Sequence, residues 1–282
     1  MEAWRRTCAA AAAVLLLASP LAAQSGTEAP VTNQKIEEAI AKGCMSLREA
    51  QGADGSWVDY PNYVGATTSL AVQALLLAGE PHDSPCMRKA VEALTKFQID
   101  KTYACACRAM AYALLAPHYP ALKEHLRADA AWLSRNQRDN GMWGYVARGE
   151  KNSGWVDNSN TQFAVLGLRD ASLAGVEISE TVWQRLLQHY TTTQLEDGGW
   201  SYRRPDTQAK DWGKQGASVT ITAPSLASLM IVNDELLKTA GCPCQSGRSK
   251  PGRLDDRPVE KGLQWLIDYF EGRRVGGSMG QW

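Results

Sequence analysis

Net charge is what this chain most plainly lacks: 30 Lys and Arg residues offset 30 Asp and Glu. Without a basic stripe there is no electrostatic footprint for nucleic acid, and without a polybasic run there is none for anionic lipid. Long apolar runs are also missing. The one candidate, Ala9–Ala18, is too short to span a bilayer comfortably. It follows Met1-Glu2-Ala3-Trp4-Arg5-Arg6 and precedes Ser19-Pro20-Leu21-Ala22-Ala23. A basic start, a short apolar stretch and small residues read as a secretory signal over 1–23, so an exported protein with no integral membrane segment is expected. Residues 24–33 read as a flexible lead-in. Phenylalanine is scarce, 3 residues against 10 Trp, and the tryptophans recur in a pattern.

Cysteine is modest in number, and Cys8 leaves with the signal. Cys44, Cys86, Cys105, Cys107, Cys242 and Cys244 remain. An even number in an exported chain points to disulfides, with the pairing unreadable. Cys105 and Cys107 lie two apart on one helix and face different ways, so they are not expected to bridge each other. Two Cys-x-Cys pairs raise the question of zinc. Cys105 and Cys107 sit in an apolar helix rather than a ligand loop, so no metal and no cofactor is expected. The composition, 44% apolar and 21% charged over 282 residues, is that of a globular chain of one large domain or two small ones.

What is present is a repeated stretch. Gln51-Gly52-Ala53-Asp54-Gly55-Ser56-Trp57, Gln137-Arg138-Asp139-Asn140-Gly141-Met142-Trp143-Gly144-Tyr145 and Gln194-Leu195-Glu196-Asp197-Gly198-Gly199-Trp200-Ser201-Tyr202 share one plan. Gly276–Trp282 is a truncated copy, and Gln98-Ile99-Asp100-Lys101 a copy that has lost Gly and Trp. Each full copy follows an amphipathic run. Gly55, Gly141 and Gly198 are turn residues that accept positive φ. Trp57, Trp143 and Trp200 offer a large apolar face and one N–H donor. The amides of Gln51, Gln137 and Gln194 reach backbone groups left unpaired at helix ends. The motif therefore reads as a structural staple rather than as catalytic machinery.

Two kinds of helix alternate between the copies. Ile36–Gln51, Cys86–Gln98, Leu126–Gln137, Val182–Gln194 and Val259–Gly272 are amphipathic. Gly65–Gly79, Thr102–Leu115, Asn160–Gly175 and Ser218–Val232 are almost free of charge and should be buried on every side. At about 15 residues, or roughly 22 Å, they are too short for membrane spans. Pro224 suggests a fourth inner helix starting near Thr222. Alternation implies two concentric layers, and a motif period of about 50 residues signals a repeat protein. The stretch Gly241–Pro258 reads as an exposed insertion.

With these Gln-Asp-Gly-Trp copies and alternating helices, residues 34–282 resemble the terpenoid cyclase and protein prenyltransferase superfamily, built on QW-type prenyltransferase and squalene oxidase repeats. Trp155–Ala164 looks like exported bacterial members of unassigned function. The resemblance implies an all-α fold, an α/α toroid of helical hairpins with inner and outer rings. A closed toroid of that family has six helix pairs; five outer and four inner helices are readable before Trp282, so a truncated, fragmentary ring is expected. The family's chemistry would need an Asp-x-Asp-Asp acid motif or a zinc set of Asp, Cys and His. Asp157-Asn158-Ser159-Asn160 and Asp255-Asp256 are the nearest acidic strings, and no Asp-x-Cys precedes a later His. His82, His118, His125 and His189 fall on outer helices or loops. The inner runs offer as aromatics Tyr103, Tyr112 and Phe163. Gly241-Cys242-Pro243-Cys244-Gln245 keeps two positions of a complement-type thioester and is set aside.

A toroid would gather inner-helix N-termini at one mouth. The polar residues there are Thr67, Thr68, Tyr103, Asp157, Asn158, Asn160, Thr161, Gln162, Thr220 and Thr222. Asp157 is the candidate functional carboxylate, and Tyr103, Asn158, Asn160, Gln162, Tyr145 and Trp155 are candidate ligand contacts. Helix capping by Asp157, Asn158 or Asn160 is the competing reading. The favoured function is binding of an apolar or polymeric ligand at this mouth without cyclase or prenyltransferase chemistry. The alternatives are a terpene cyclase or prenyltransferase-like enzyme completed beyond residue 282, and a polysaccharide-active α/α barrel, which would need paired acids. Fold alone separates none of these.

Overall fold

The computed structural model describes residues 31–151, 153–203, 216–239 and 255–272. Among them are nine helices and no strand: α1 Asn33–Glu49, α2 Ala66–Leu77, α3 Pro85–Lys96, α4 Thr102–Leu115, α5 Leu122–Asn136, α6 Asn158–Leu173, α7 Glu180–Thr193, α8 Val219–Thr239 and α9 Arg257–Phe270. The protein is all-α. No helix of the described residues is long and apolar enough to cross a membrane. The expected signal, Cys242, Cys244 and the last motif copy at Gly276–Trp282 lie outside the described residues. Two compact units divide between Lys42 and Gly43, within α1. The first holds, among described residues, the start of α1. The second holds everything from Gly43 on.

The second unit has two helical layers. The four apolar helices succeed one another, α2 against α4, α4 against α6 and α6 against α8. The amphipathic helices lie on them: α3 on α2, α5 on α4 and α6, α7 and α9 on α8. Small residues set the closest approach. A Cβ on Gly167 of α6 would stand 3.0 Å from the Ala106 Cα of α4. In α4, Ala104 to Cys107 and Ala109 to Tyr112 are buried.

Burial on every side does not hold for all four. Leu70 and Leu77 of α2, Leu173 of α6, and Met230 and Leu237 of α8 are between 49% and 75% exposed. An inner helix is covered by its inner neighbours and its outer partner. Leu77 and Leu173 close their helices, and no described element covers the exposed side chains. Helix α8 also starts earlier than expected, at Val219, and continues past Val232 to Thr239. The Ser218 carbonyl accepts from Ile221 N–H at 3.2 Å and Thr222 N–H at 2.7 Å, so the first turn closes before Pro224. The proline then removes one bond near a helix start, where the loss is small. Disulfides are not found among the described cysteines: Cys44, Cys86, Cys105 and Cys107 are free. Cys105 and Cys107 pack as small apolar groups inside α4, and burial pushes the Cys107 thiol up to about 12.

The three motif copies make the same bonds. Trp57, Trp143 and Trp200 donate Nε1–H back to Leu47, Leu133 and Tyr190 carbonyls at 2.8, 2.8 and 2.9 Å. Their backbone N–H groups reach the hydroxyls of Thr68, Thr161 and Thr222 on the next inner helix at 3.0, 3.1 and 3.1 Å. Gln51, Gln137 and Gln194 donate to the motif glycine carbonyl and to Cys86, Val182 and Pro258 carbonyls at 2.9, 3.1 and 2.8 Å. Each staple thus ties the end of one outer helix to the start of the next outer helix and of the next inner one. Gly55, Gly141 and Gly198 have φ of 86°, 85° and 92°. A Cβ at any of them would collide with the Lys89, Arg185 or Lys261 carbonyl.

The copy at Gln98 has a substitute. Arg108, the one charge of α4, donates to Asp129 of α5 at 2.9 and 2.6 Å and to the Phe97 carbonyl at 2.7 Å. It joins the end of α3 to α4 and α5. Asp129 is 3% exposed; burial pushes its carboxyl up while Arg108 pulls it back down.

Candidate functional site

Asp157 sits where the chain turns from the second staple loop, that of Gln137 and Trp143, into α6. Its N–H bonds the Trp143 carbonyl at 3.2 Å, which fixes it beside the motif. Its Oδ1 accepts from Asn160 N–H at 2.7 Å, and both carboxylate oxygens accept from Asn160 Nδ2, at 3.2 and 3.0 Å. Asp157 is therefore the N-cap of α6. Burial raises its pKa; the Asn160 bonds, the Tyr202 phenol and the Arg203 charge oppose the rise. Asp59 plays the matching part for α2, accepting from Gly65 and Thr67 N–H at 2.6 and 2.9 Å.

The candidate residues do not all meet. Asn158 is 3% exposed and turned inward; its Nδ2 donates to the Ser201 carbonyl at 2.8 Å, and its Oδ1 meets His189 Nε2 at 2.7 Å. Asn160 is fully buried on Asp157. Thr68, Thr161 and Thr222 serve the motif tryptophans. Gln162 is half-buried on α6. Tyr112 is turned away from this group; it is fully buried, and its hydroxyl donates to the Leu94 carbonyl of α3 at 3.0 Å. Tyr103, Tyr145 and Trp155 do come together near Asp157.

Around them lies an aromatic row that the inner runs alone do not reveal. Tyr60 meets Tyr63 at 6.0 Å between ring centres, Tyr63 meets Tyr103 at 6.2 Å, and Tyr103 meets Tyr145 at 5.9 Å. The Tyr145 and Tyr202 hydroxyls are 3.1 Å apart. Next to Tyr202, the Arg203 guanidinium lies 4.0 Å over the Trp155 ring. Phe163 supports Tyr103 at 4.7 Å, and the Tyr103 hydroxyl donates to Ser159 Oγ at 2.7 Å. Gly144 lets the Trp155 backbone pass, since a Cβ there would collide with the Trp155 carbonyl. Tyr60, Tyr145 and Trp155 are 74%, 37% and 49% exposed; among the described residues the remaining exposed aromatic is Phe270.

Burial, first of all, raises the phenol pKa of Tyr63, Tyr103 and Tyr202, and the Asp157 charge adds to each. These tyrosines are neutral donors and acceptors at any ordinary pH. A signal for the missed Tyr60 and Tyr202 exists: like the candidate Tyr145, they follow a motif tryptophan, 57, 200 or 143, by two or three positions. No cluster of three or more His, Cys, Asp or Glu suited to a metal occurs among the described residues. No family model and no curated protein matches the chain.

Proposed function

We propose that this is an exported repeat protein of the α/α-toroid type whose business is binding a ligand at the aromatic mouth, without cyclase or prenyltransferase chemistry. The two helix layers and the thrice-repeated staple support the toroid reading. The state of Asp157 carries the functional one. An acid that protonates an alkene, or a base that activates water, needs a carboxyl free to exchange its proton with the substrate. Asp157 has both oxygens engaged at a helix start, and Asp59 is engaged likewise at the start of α2. What the mouth presents outward is ring surface and phenol hydroxyls, the equipment of recognition. The test is incubation with squalene and with a prenyl diphosphate. No product is expected from either; a product that disappears in Asp157→Asn would replace this reading with the cyclase alternative.

A further inference from the structure

We infer that the aromatic row takes a chain of neutral sugars, an inference that rests on the mouth being a ligand site. Sugar rings have two kinds of surface. Their axial C–H faces carry slight positive charge and stack on the negative face of an aromatic ring; their hydroxyl rims need donors and acceptors. The site supplies both. Tyr60 and Trp155 expose ring surface, 74% and 49% accessible, and Tyr103, Ser159, Tyr145 and Tyr202 carry hydroxyls. Successive ring centres from Tyr60 to Tyr145 are 5.9 to 6.2 Å apart, so four rings in consecutive contact offer more than one stacking place.

Other ligand classes fit worse. An isoprenoid would strip water from the exposed Tyr60 phenol and offer it no partner. A polyanion would meet the half-buried carboxylate of Asp59, and the guanidinium of Arg203 is already seated on Trp155.

The experiment is titration of the full chain with cellohexaose, maltohexaose and chitohexaose, read by calorimetry and by tryptophan fluorescence. Binding of at least one is expected. Trp155→Ala and Tyr60→Ala should each weaken it by about 5- to 10-fold, the scale of one lost aromatic contact, while Phe270→Ala leaves it unchanged. All three substituted side chains are exposed, so folding is not at stake. Absence of binding by all three oligosaccharides overturns the inference, and so does binding that ignores Trp155 and Tyr60. If squalene in mixed micelles instead gives the signal that depends on those two residues, the sugar assignment fails and the mouth remains a site. If neither class gives it, both fail.

Discussion

At Gly141 one hydrogen atom in place of a methyl group decides whether a staple closes. The residue has φ of 85°, and an added Cβ would strike the Arg185 carbonyl. Gly149 has φ of 91° with nothing within 4 Å of its Cβ position. Gly149→Ala should therefore cost only the left-handed backbone term, about 1–2 kcal/mol. Gly141→Ala should cost clearly more, and the difference in urea unfolding free energy measures the packing of the turn on α7. Equal costs would mean that α7 yields without penalty. Asp157 makes a pH statement at the same scale. Its folded pKa is raised above 3.8, so the native state holds this proton more tightly than the unfolded chain. Its contribution to stability is then greatest in acid and declines as pH rises from the unfolded value through the folded one. Asp157→Asn should remove that decline. The stability difference between variant and wild type, followed by chemical denaturation from pH 3 to 7, should move in the variant's favour as pH rises; a difference that stays flat would show that Asn160 and Arg203 fully offset burial.

Between elements, the contrast of interest is staple against ion pair. Three junctions use Gln and Trp, and the fourth uses Arg108 and Asp129. Arg108→Ala would leave Asp129, 3% exposed, as a buried charge without its partner. The expected cost is about 3–5 kcal/mol in equilibrium unfolding. The double variant Arg108→Met, Asp129→Leu should recover most of it, because an apolar pair of similar volume avoids the desolvation penalty. A single-variant loss below about 1 kcal/mol would place the pair with exposed ones, where solvent screens the attraction.

Across the second unit, stability should follow the layering. Helix α4 is packed by α2, α5 and α6, and its small side chains are buried along its length. Helices α2 and α8 each leave apolar side chains uncovered, Leu70 and Leu77 on one and Met230 and Leu237 on the other. Repeat arrays take their stability from neighbour interfaces, so an inner helix with more covered flank opens less often. Amide hydrogen exchange should be slowest in α4 and faster in α2 and α8. The reverse order would show that the inner layer is not the stability core.

The order of helices, their amphipathic or apolar character and the turn role of the motif glycines were all legible in the sequence, because each depends on periodicity or on a backbone preference within a few residues. Asp157 as a helix cap was legible for the same reason. The carbonyls that receive Gln51, Gln137 and Gln194 belong to the following outer helix, and nothing local names them. Helix α2 has no charge at all, yet packing left Leu70 and Leu77 uncovered. Tyr103 and Tyr145 were legible as candidates, but the meeting of the tyrosines was decided by tertiary structure: Tyr60, Tyr103, Tyr145 and Tyr202 come from separate repeats, and only the side-by-side stacking of α2, α4 and α6 brings them together.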